Sequence, residues 1–228
     1  MGGVFTIAAI PFKSPSFVES SIIKASALGA DIVEFRLDYW QGDLPDFEPL
    51  VELAKTYGLS VLITVRDPSE GGRKVPWKEE ALKIANELGC LCDVEARLYN
   101  TLPCKKTILS VHYFDMIKDR DYEEIKELSL KARNLGAYVF KVAAVLRDLN
   151  SLLKLRDSIL HPRKAFMPMG RGTERLRLLT PLLGSMFIYG SLGDSTAPGQ
   201  VPLEDAVIAS RLAAKYRMPM SDTPQSDR

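Results

Sequence analysis

One lysine stands inside an apolar run, Val139-Phe140-Lys141-Val142-Ala143. Strand alternation puts Val139 on the face of Lys141, and Phe140 and Val142 on the other. Lysine is almost never fully buried without a purpose. Removing water favours the uncharged amine, and nearby arginines (Arg36, Arg66 or Arg177) would favour it further. An uncharged amine attacks a carbonyl carbon and condenses with it to an imine. The plainer alternative is a strand-end lysine paired with Glu34 or Asp93. His112, ending Ser110-Val111-His112, is the second candidate, because an imidazole takes and returns a proton near neutral pH. A purely structural strand-end histidine is its alternative. His161 precedes Pro162 in a loop and is expected at the surface, away from any chemistry.

More polar residues fall where an apolar strand has no need of them. Glu34 and Arg36 are two apart and share a face, Arg66 follows Val65, and Asp93 and Glu95 share a face of the next strand. Five strands thus bring charge or imidazole to one rim. Burying an ion costs several kcal/mol unless it is paired or functional, so such a ring predicts a polar pocket for a polar ligand. Met167 and Met169 end a seventh strand, and an eighth leads into a loop carrying Gly190, Gly193, Pro198 and Gly199.

These residues need elements to position them. Short β-branched runs occur at Phe5–Ile10, Ile32–Leu37, Val61–Val65, Leu91–Glu95, Thr107–Val111, Tyr138–Val142, Ala165–Met169 and Phe187–Tyr189. Helical patterns lie between most of them, near 17–29, 46–57, 77–89, 121–135, 148–159, 175–184 and 202–216. Glycines follow Leu28, Leu88 and Leu135 where helices end, and Pro76 and Pro202 precede helix starts. The expected fold is a single α/β domain over residues 1–216, an eight-stranded parallel (β/α)8 TIM barrel, with its chemistry at the C-terminal strand ends. An open doubly wound sheet is the alternative, but Pro11-Phe12-Lys13 stands where its phosphate loop would be. Residues 217–228 are polar and aperiodic and read as a disordered tail. Acidic and basic runs near Asp119–Lys131 and Arg147–Arg156 read as solvated helix faces.

The 228 residues carry a net charge of +1, which gives no electrostatic case for nucleic acid or an acidic membrane surface. No apolar run approaches the ~20 residues of a membrane span, and Met1–Ile10 reads as a first strand rather than an export signal. Cys90, Cys92 and Cys104 are odd in number and are expected as buried thiols in a reducing cytoplasm.

The order Glu34-Phe-Arg-Leu-Asp38, Thr64-Val-Arg66 followed by Glu70-Gly-Gly72, Ser110-Val-His112, Phe140-Lys-Val-Ala143, Met167-Pro-Met169 and Ala197-Pro-Gly-Gln200 resembles the type I 3-dehydroquinate dehydratase family, from about Phe5 to Tyr216. Each motif is short, but their joint order at strand ends is specific. The resemblance implies a cytoplasmic, homodimeric enzyme of the shikimate pathway with no cofactor or metal. Its small-molecule substrate, 3-dehydroquinate, would lose water by syn elimination to give 3-dehydroshikimate. It implies imine formation at Lys141, general acid/base work by His112, and orientation of His112 by Glu70. Glu34, Arg36 and Arg66 would hold substrate hydroxyls, and Arg177, with Arg175 as fallback, the carboxylate. Thr196, Ala197 and Gln200 would ride on a closing loop, and Met167, Met169 and Tyr189 would form an apolar wall. The residues after His112, Tyr113-Phe114-Asp115, depart from the acidic or amide residue and phenylalanine usual in the family. A class I aldolase would share the strand-six lysine, but Arg177 and Gln200 suit a carboxylate and hydroxyls better than a phosphate. A metabolite-binding barrel without activity is a third reading.

Overall fold

A computed structural model describes residues 3–193 and 199–216. Residues 217–228, read as a tail, lie outside that range, as do Thr196 and Ala197. The described strands are β1 Phe5–Pro11, β2 Ile32–Arg36, β3 Ser60–Thr64, β4 Leu91–Glu95, β5 Thr107–Met116, β6 Val139–Val145, β7 Lys164–Met169, β8 Phe187–Ser191 and a short β9 Val201–Pro202. The helices are α1 Pro15–Leu28, α2 Glu48–Thr56, α3 Lys78–Glu87, α4 Asp119–Leu135, α5 Leu149–Ser158, α6 Glu174–Leu179 and α7 Leu203–Tyr216.

The parallel sheet runs β7-β6-β5-β4-β3-β2-β1-β8-β9. Consecutive strands are neighbours from β1 to β7, and β8 returns to β1, so the order never reverses as a doubly wound sheet requires. β7 and β8 share no ladder. Across that seam Met186 N donates to Lys164 O at 2.8 Å, and Phe166 N donates to the Ser185 hydroxyl at 3.1 Å.

Strand periodicity divides the apolar residues into two cores. Ile7, Ile32, Leu62, Leu91, Ile108, Val139, Ala165 and Phe187, one from each of β1 to β8, form a single buried cluster that fills the barrel floor. Their neighbours Ala8, Val33, Ile63, Cys92, Leu109, Phe140 and Phe166 pack outward beneath the helices. Two residues further along the inward face, the floor gives way to Glu34, Asp93, Ser110 and Lys141, all buried. The polar site is thus the continuation of the same period-2 pattern towards the C-terminal rim.

No helix lies between β4 and β5. Residues 96–106 lead from β4 to β5 directly, and a disulfide joins Cys104 in that segment to Cys92 on the outer face of β4, with Cα atoms 6.1 Å apart. This corrects the expectation of three thiols. Only Cys90 remains a buried thiol, and burial raises its pKa to about 11. His161 also departs from expectation. It is buried, and the chain turns at Arg163 so that the Arg163 carbonyl oxygen lies 2.6 Å from its Nδ1.

Candidate active site

Lys141 occupies the middle of β6 and points inward at 4% exposure. Its Nζ donates to Asp93 Oδ2 at 2.6 Å and to the Tyr189 hydroxyl at 3.4 Å, and lies 4.9 Å from the Tyr189 ring centre. The lysine is therefore ion-paired rather than surrounded by arginines alone, and of its two considered partners Asp93 is the one it meets. Asp93 receives a second cation on its other oxygen, from Arg66 at 2.7 Å. Burial alone would raise the Asp93 pKa, but Arg66 and Lys141 together hold it well below the usual carboxylate range.

Arg66, just past β3, is the hub of the rim. It donates to Asp93, to Glu95 at 3.1 Å and to the Ser110 hydroxyl at 2.9 Å. Burial opposes its charge, yet these carboxylates raise its pKa further. The loop after β3 then doubles back. Asp67 accepts from Ser69 N at 2.9 Å and initiates a 3-10 turn over Pro68–Glu70, while its own N–H donates to Glu95 at 2.9 Å. Gly71 leaves that turn at φ 83°, and a Cβ on Gly72 would overlap the Arg66 carbonyl at 1.8 Å. The glycine pair thus permits the close return that delivers Glu70 to the site.

Glu70 Oε2 meets His112 Nδ1 at 2.7 Å. Burial raises the Glu70 pKa to about 7, with Arg66 and Arg97 working against it. Burial, with Arg66 and Lys141 nearby, pushes the His112 pKa well below its ordinary value. Ser110 is in register with Lys141, and His112 with Ala143, so the imidazole sits one inward step above the amine on the neighbouring strand.

The other expected residues surround the same opening. Glu34 accepts from the Thr64 hydroxyl at 2.7 Å, and Arg36 is chelated by Asp38 at 2.9 and 2.8 Å. Buried Arg177, on α6, donates Nε to Pro168 O at 2.7 Å, and burial lowers its pKa to about 10. Arg175 is exposed. Glu34, Arg36, Arg66, Glu70, His112, Lys141, Met167, Met169, Arg177, Tyr189 and Gln200 all line one cavity of about 370 Å³. Asp93 is legible in the sequence as a rim carboxylate and one possible partner of the lysine, whereas Thr64, Ser110 as a ligand of Arg66, and Arg97 are not. Arg97 carries a signal in hindsight, since Asp93, Glu95 and Arg97 continue one alternation past the strand end.

The arrangement gathers an ion-paired buried lysine, a histidine–glutamate pair and a guanidinium around one small polar volume. The profile of the family described as Type I 3-dehydroquinase matches residues 7–216. A 3-dehydroquinate dehydratase of Ignicoccus hospitalis is 50% identical over 200 residues, covering 87% of this chain and 92% of that protein. That of Aquifex aeolicus is 30% identical over 211 residues, covering 87% and 94%. The crystal structure of the Aquifex aeolicus VF5 enzyme superposes with a TM-score of 0.79 at 27% identity, over 94% of this chain and all of the other. With its lysine, imidazole and arginine gathered at one rim of a barrel whose sequence matches from β1 to α7, this chain belongs to the type I 3-dehydroquinase family.

Proposed function

We propose that the protein is a 3-dehydroquinate dehydratase, converting 3-dehydroquinate to 3-dehydroshikimate by syn loss of water through an imine on Lys141. The observation that carries the reading is the single cavity lined by Lys141, His112 with Glu70, and Arg177. Arg177 pairs with the substrate carboxylate as a two-pronged clamp and fixes the ring. Glu34, Arg36 and Arg66 form the polar side that receives hydroxyls, and Met167, Met169 and Tyr189 the apolar side. The Lys141 ammonium hands a proton to water, the amine adds to the ketone carbon and shifts a proton to its oxygen, and the hydroxyl so formed takes up the proton first released and leaves as water, giving an iminium. Asp93, held as a carboxylate by two cations, balances that positive charge.

The iminium draws electrons from the adjacent carbon, so the proton there becomes removable. His112 takes it through the ring nitrogen not bound to Glu70, and the electron pair moves into an enamine. The imidazolium then protonates the β-hydroxyl, which leaves as water while the enamine electrons form the new C=C bond. Hydrolysis releases the conjugated enone and restores Lys141. One base serving both steps places proton and hydroxyl on the same ring face, hence syn. The reaction needs no cofactor. Gln200, which lines the same cavity, adds a polar contact to the ligand in this reading. We further propose that residues 1–216 act as one catalytic domain in a cytoplasmic homodimer. No helix among the described residues is long and apolar enough to cross a membrane.

The test is borohydride reduction in the presence of 3-dehydroquinate, with parallel ultraviolet detection of the enone. A substrate-sized mass addition on the peptide containing Lys141, absent in Lys141→Ala, is expected. His112→Ala is expected to retain the adduct while turnover falls at least 100-fold, within the range of a lost general base. A folded protein that forms enone without any adduct would remove the imine from the mechanism.

A further inference from the structure

The pair Glu70 and His112 does not end at Glu70. Its second oxygen, Oε1, faces Arg97 Nη1 at 3.4 Å. Arg97 lies two residues past β4, in a turn where Ala96 N donates to Ser110 O at 2.7 Å and Leu98 N to Glu95 O at 3.0 Å. That turn fixes its backbone against β5. The guanidinium is fixed in turn by Glu124 of α4, which it grips with two parallel bonds, Nε to Oε1 at 2.8 Å and Nη2 to Oε2 at 3.0 Å. Its face lies over the Tyr113 ring, 4.8 Å from the centre, and the Tyr113 hydroxyl donates to Glu124 Oε2 at 2.9 Å. Nη1 also points at the His112 carbonyl at 3.5 Å. Four partners thus leave this arginine one orientation, and in it Nη1 addresses the carboxylate that orients the imidazole.

An isolated arginine at 35% side-chain exposure would add little, because water screens an exposed ion pair and the ordering of its side chains offsets most of the attraction. Two features separate Arg97 from that class. Its acceptor on Glu70 is 3% exposed, so solvent screens the pair from one side only. Planarity and the two-bond grip of Glu124 also remove most of the freedom whose loss usually cancels such a contact.

We propose that Arg97, held by Glu124 and Tyr113, is a positioning residue that keeps Glu70 ionised and aligned on His112 Nδ1. The inference rests on His112 acting as the acid/base of the proposed dehydration. The charges facing Glu70 come from several elements. Arg66 lies 3.8 Å from its Oε2, and Asp93 and Glu95 of β4 stand behind Arg66. Lys78 of α3 neutralises Glu95 at 2.6 Å, and Lys141 of β6 neutralises Asp93 at the same distance. With those acids matched by those bases, Arg97 is the cation beyond the core cluster that biases Glu70 towards the carboxylate. Removing it makes Glu70 easier to protonate, so the acidic limb of the kcat/KM profile moves to higher pH.

The experiment compares pH profiles of kcat/KM for 3-dehydroquinate in the unsubstituted protein, Arg97→Met, Arg97→Lys and Glu124→Gln, with thermal melts on each. For Arg97→Met the acidic limb is expected to rise by about one pH unit, roughly tenfold in kcat/KM below the limb. The loss is expected in kcat rather than KM. Arg97→Lys should recover part of the shift, and Glu124→Gln should move the limb in the same direction by less. A uniform loss at every pH tracking the melting temperature would assign Arg97 a structural role only and overturn the proposal. So would superimposable profiles. Should Arg97→Met fail to fold, Arg97→Lys and Glu124→Gln decide on the same criteria. Failure of the parent reading is distinct, since the unsubstituted protein would then give neither enone nor trapped adduct.

Discussion

Lys141 Nζ lies 2.6 Å from Asp93 Oδ2, and Asp93 is fully buried with Arg66 on its other oxygen. One carboxylate therefore stands between two cations inside the barrel. Replacing it by the isosteric amide keeps shape and leaves Lys141 without its carboxylate, while Arg66 keeps Glu95. Breaking a buried pair from one side costs about 3–5 kcal/mol. Asp93→Asn is expected to lose about that much unfolding free energy in urea denaturation. A loss below about 1 kcal/mol would mean that the pairing does not hold the rim together.

The pair Glu70 and His112 predicts an unusual pH dependence of stability. Burial raises Glu70 to about 7 and lowers His112 well below 6.5. Between about pH 4.5 and 6.5 the unfolded chain carries one proton on this pair, on the histidine. The folded pair also carries one, held between the two groups, so its contribution is flat there. Glu70→Gln leaves a histidine that stays neutral when folded and charges when unfolded. Its depressed pKa means stability present above 6.5 and lost as pH falls. Glu70→Gln is therefore expected to gain stability relative to the unsubstituted protein as pH rises from about 4.5 to 6.5, by roughly 1–2 kcal/mol. Parallel curves across that interval would sink the coupling.

The sequence made the inward face legible because a strand has only two faces. With Lys141 facing inward, Val139 below it and the matching positions of other strands follow, and Glu34, Arg66 and His112 line the same cavity. What alternation does not carry is which charge meets which. Whether arginines or a carboxylate dominate around Lys141 depends on side-chain reach across three strands, and Asp93 wins because β4 brings it within 2.6 Å. His161 read as a surface residue because its loop carries no period, yet the turn to Arg163 buries it. Cys92 and Cys104 were invisible as a pair for a similar reason, since their approach follows from the missing helix between β4 and β5.

That pair gives a separate prediction. The disulfide closes a short loop, sequence separation 12, over the outer face of the strand that carries Asp93 and Glu95. Chain-entropy arguments give a loop of that size about 3 kcal/mol. Cys104→Ser, or reductant on the unsubstituted protein, is expected to lower unfolding free energy by about 2–3 kcal/mol, while Cys90→Ser with reductant absent leaves the cross-link intact. Urea curves with and without dithiothreitol, checked by thiol counting, read this out. If reductant frees two thiols without moving the midpoint, the cross-link contributes nothing to the fold.

Arg175 and Arg177 differ by two positions on one short helix, which turns them to different sides. Arg177 is buried, lines the cavity and donates Nε to Pro168 O, whereas Arg175 is exposed. A planar fork matches a carboxylate in two bonds, and an ammonium at the same place matches it in one. Truncating one side of a buried charged contact costs about 2–5 kcal/mol. Arg177→Gln is accordingly expected to raise KM for 3-dehydroquinate at least 30-fold, Arg177→Lys by less, and Arg175→Gln by under about twofold. The same Arg177 variants should lose little against a substrate analogue whose carboxylate is replaced by a neutral amide, because the partner of the fork is then already missing. An equal KM rise with both substrates would detach Arg177 from carboxylate binding and assign it a structural role.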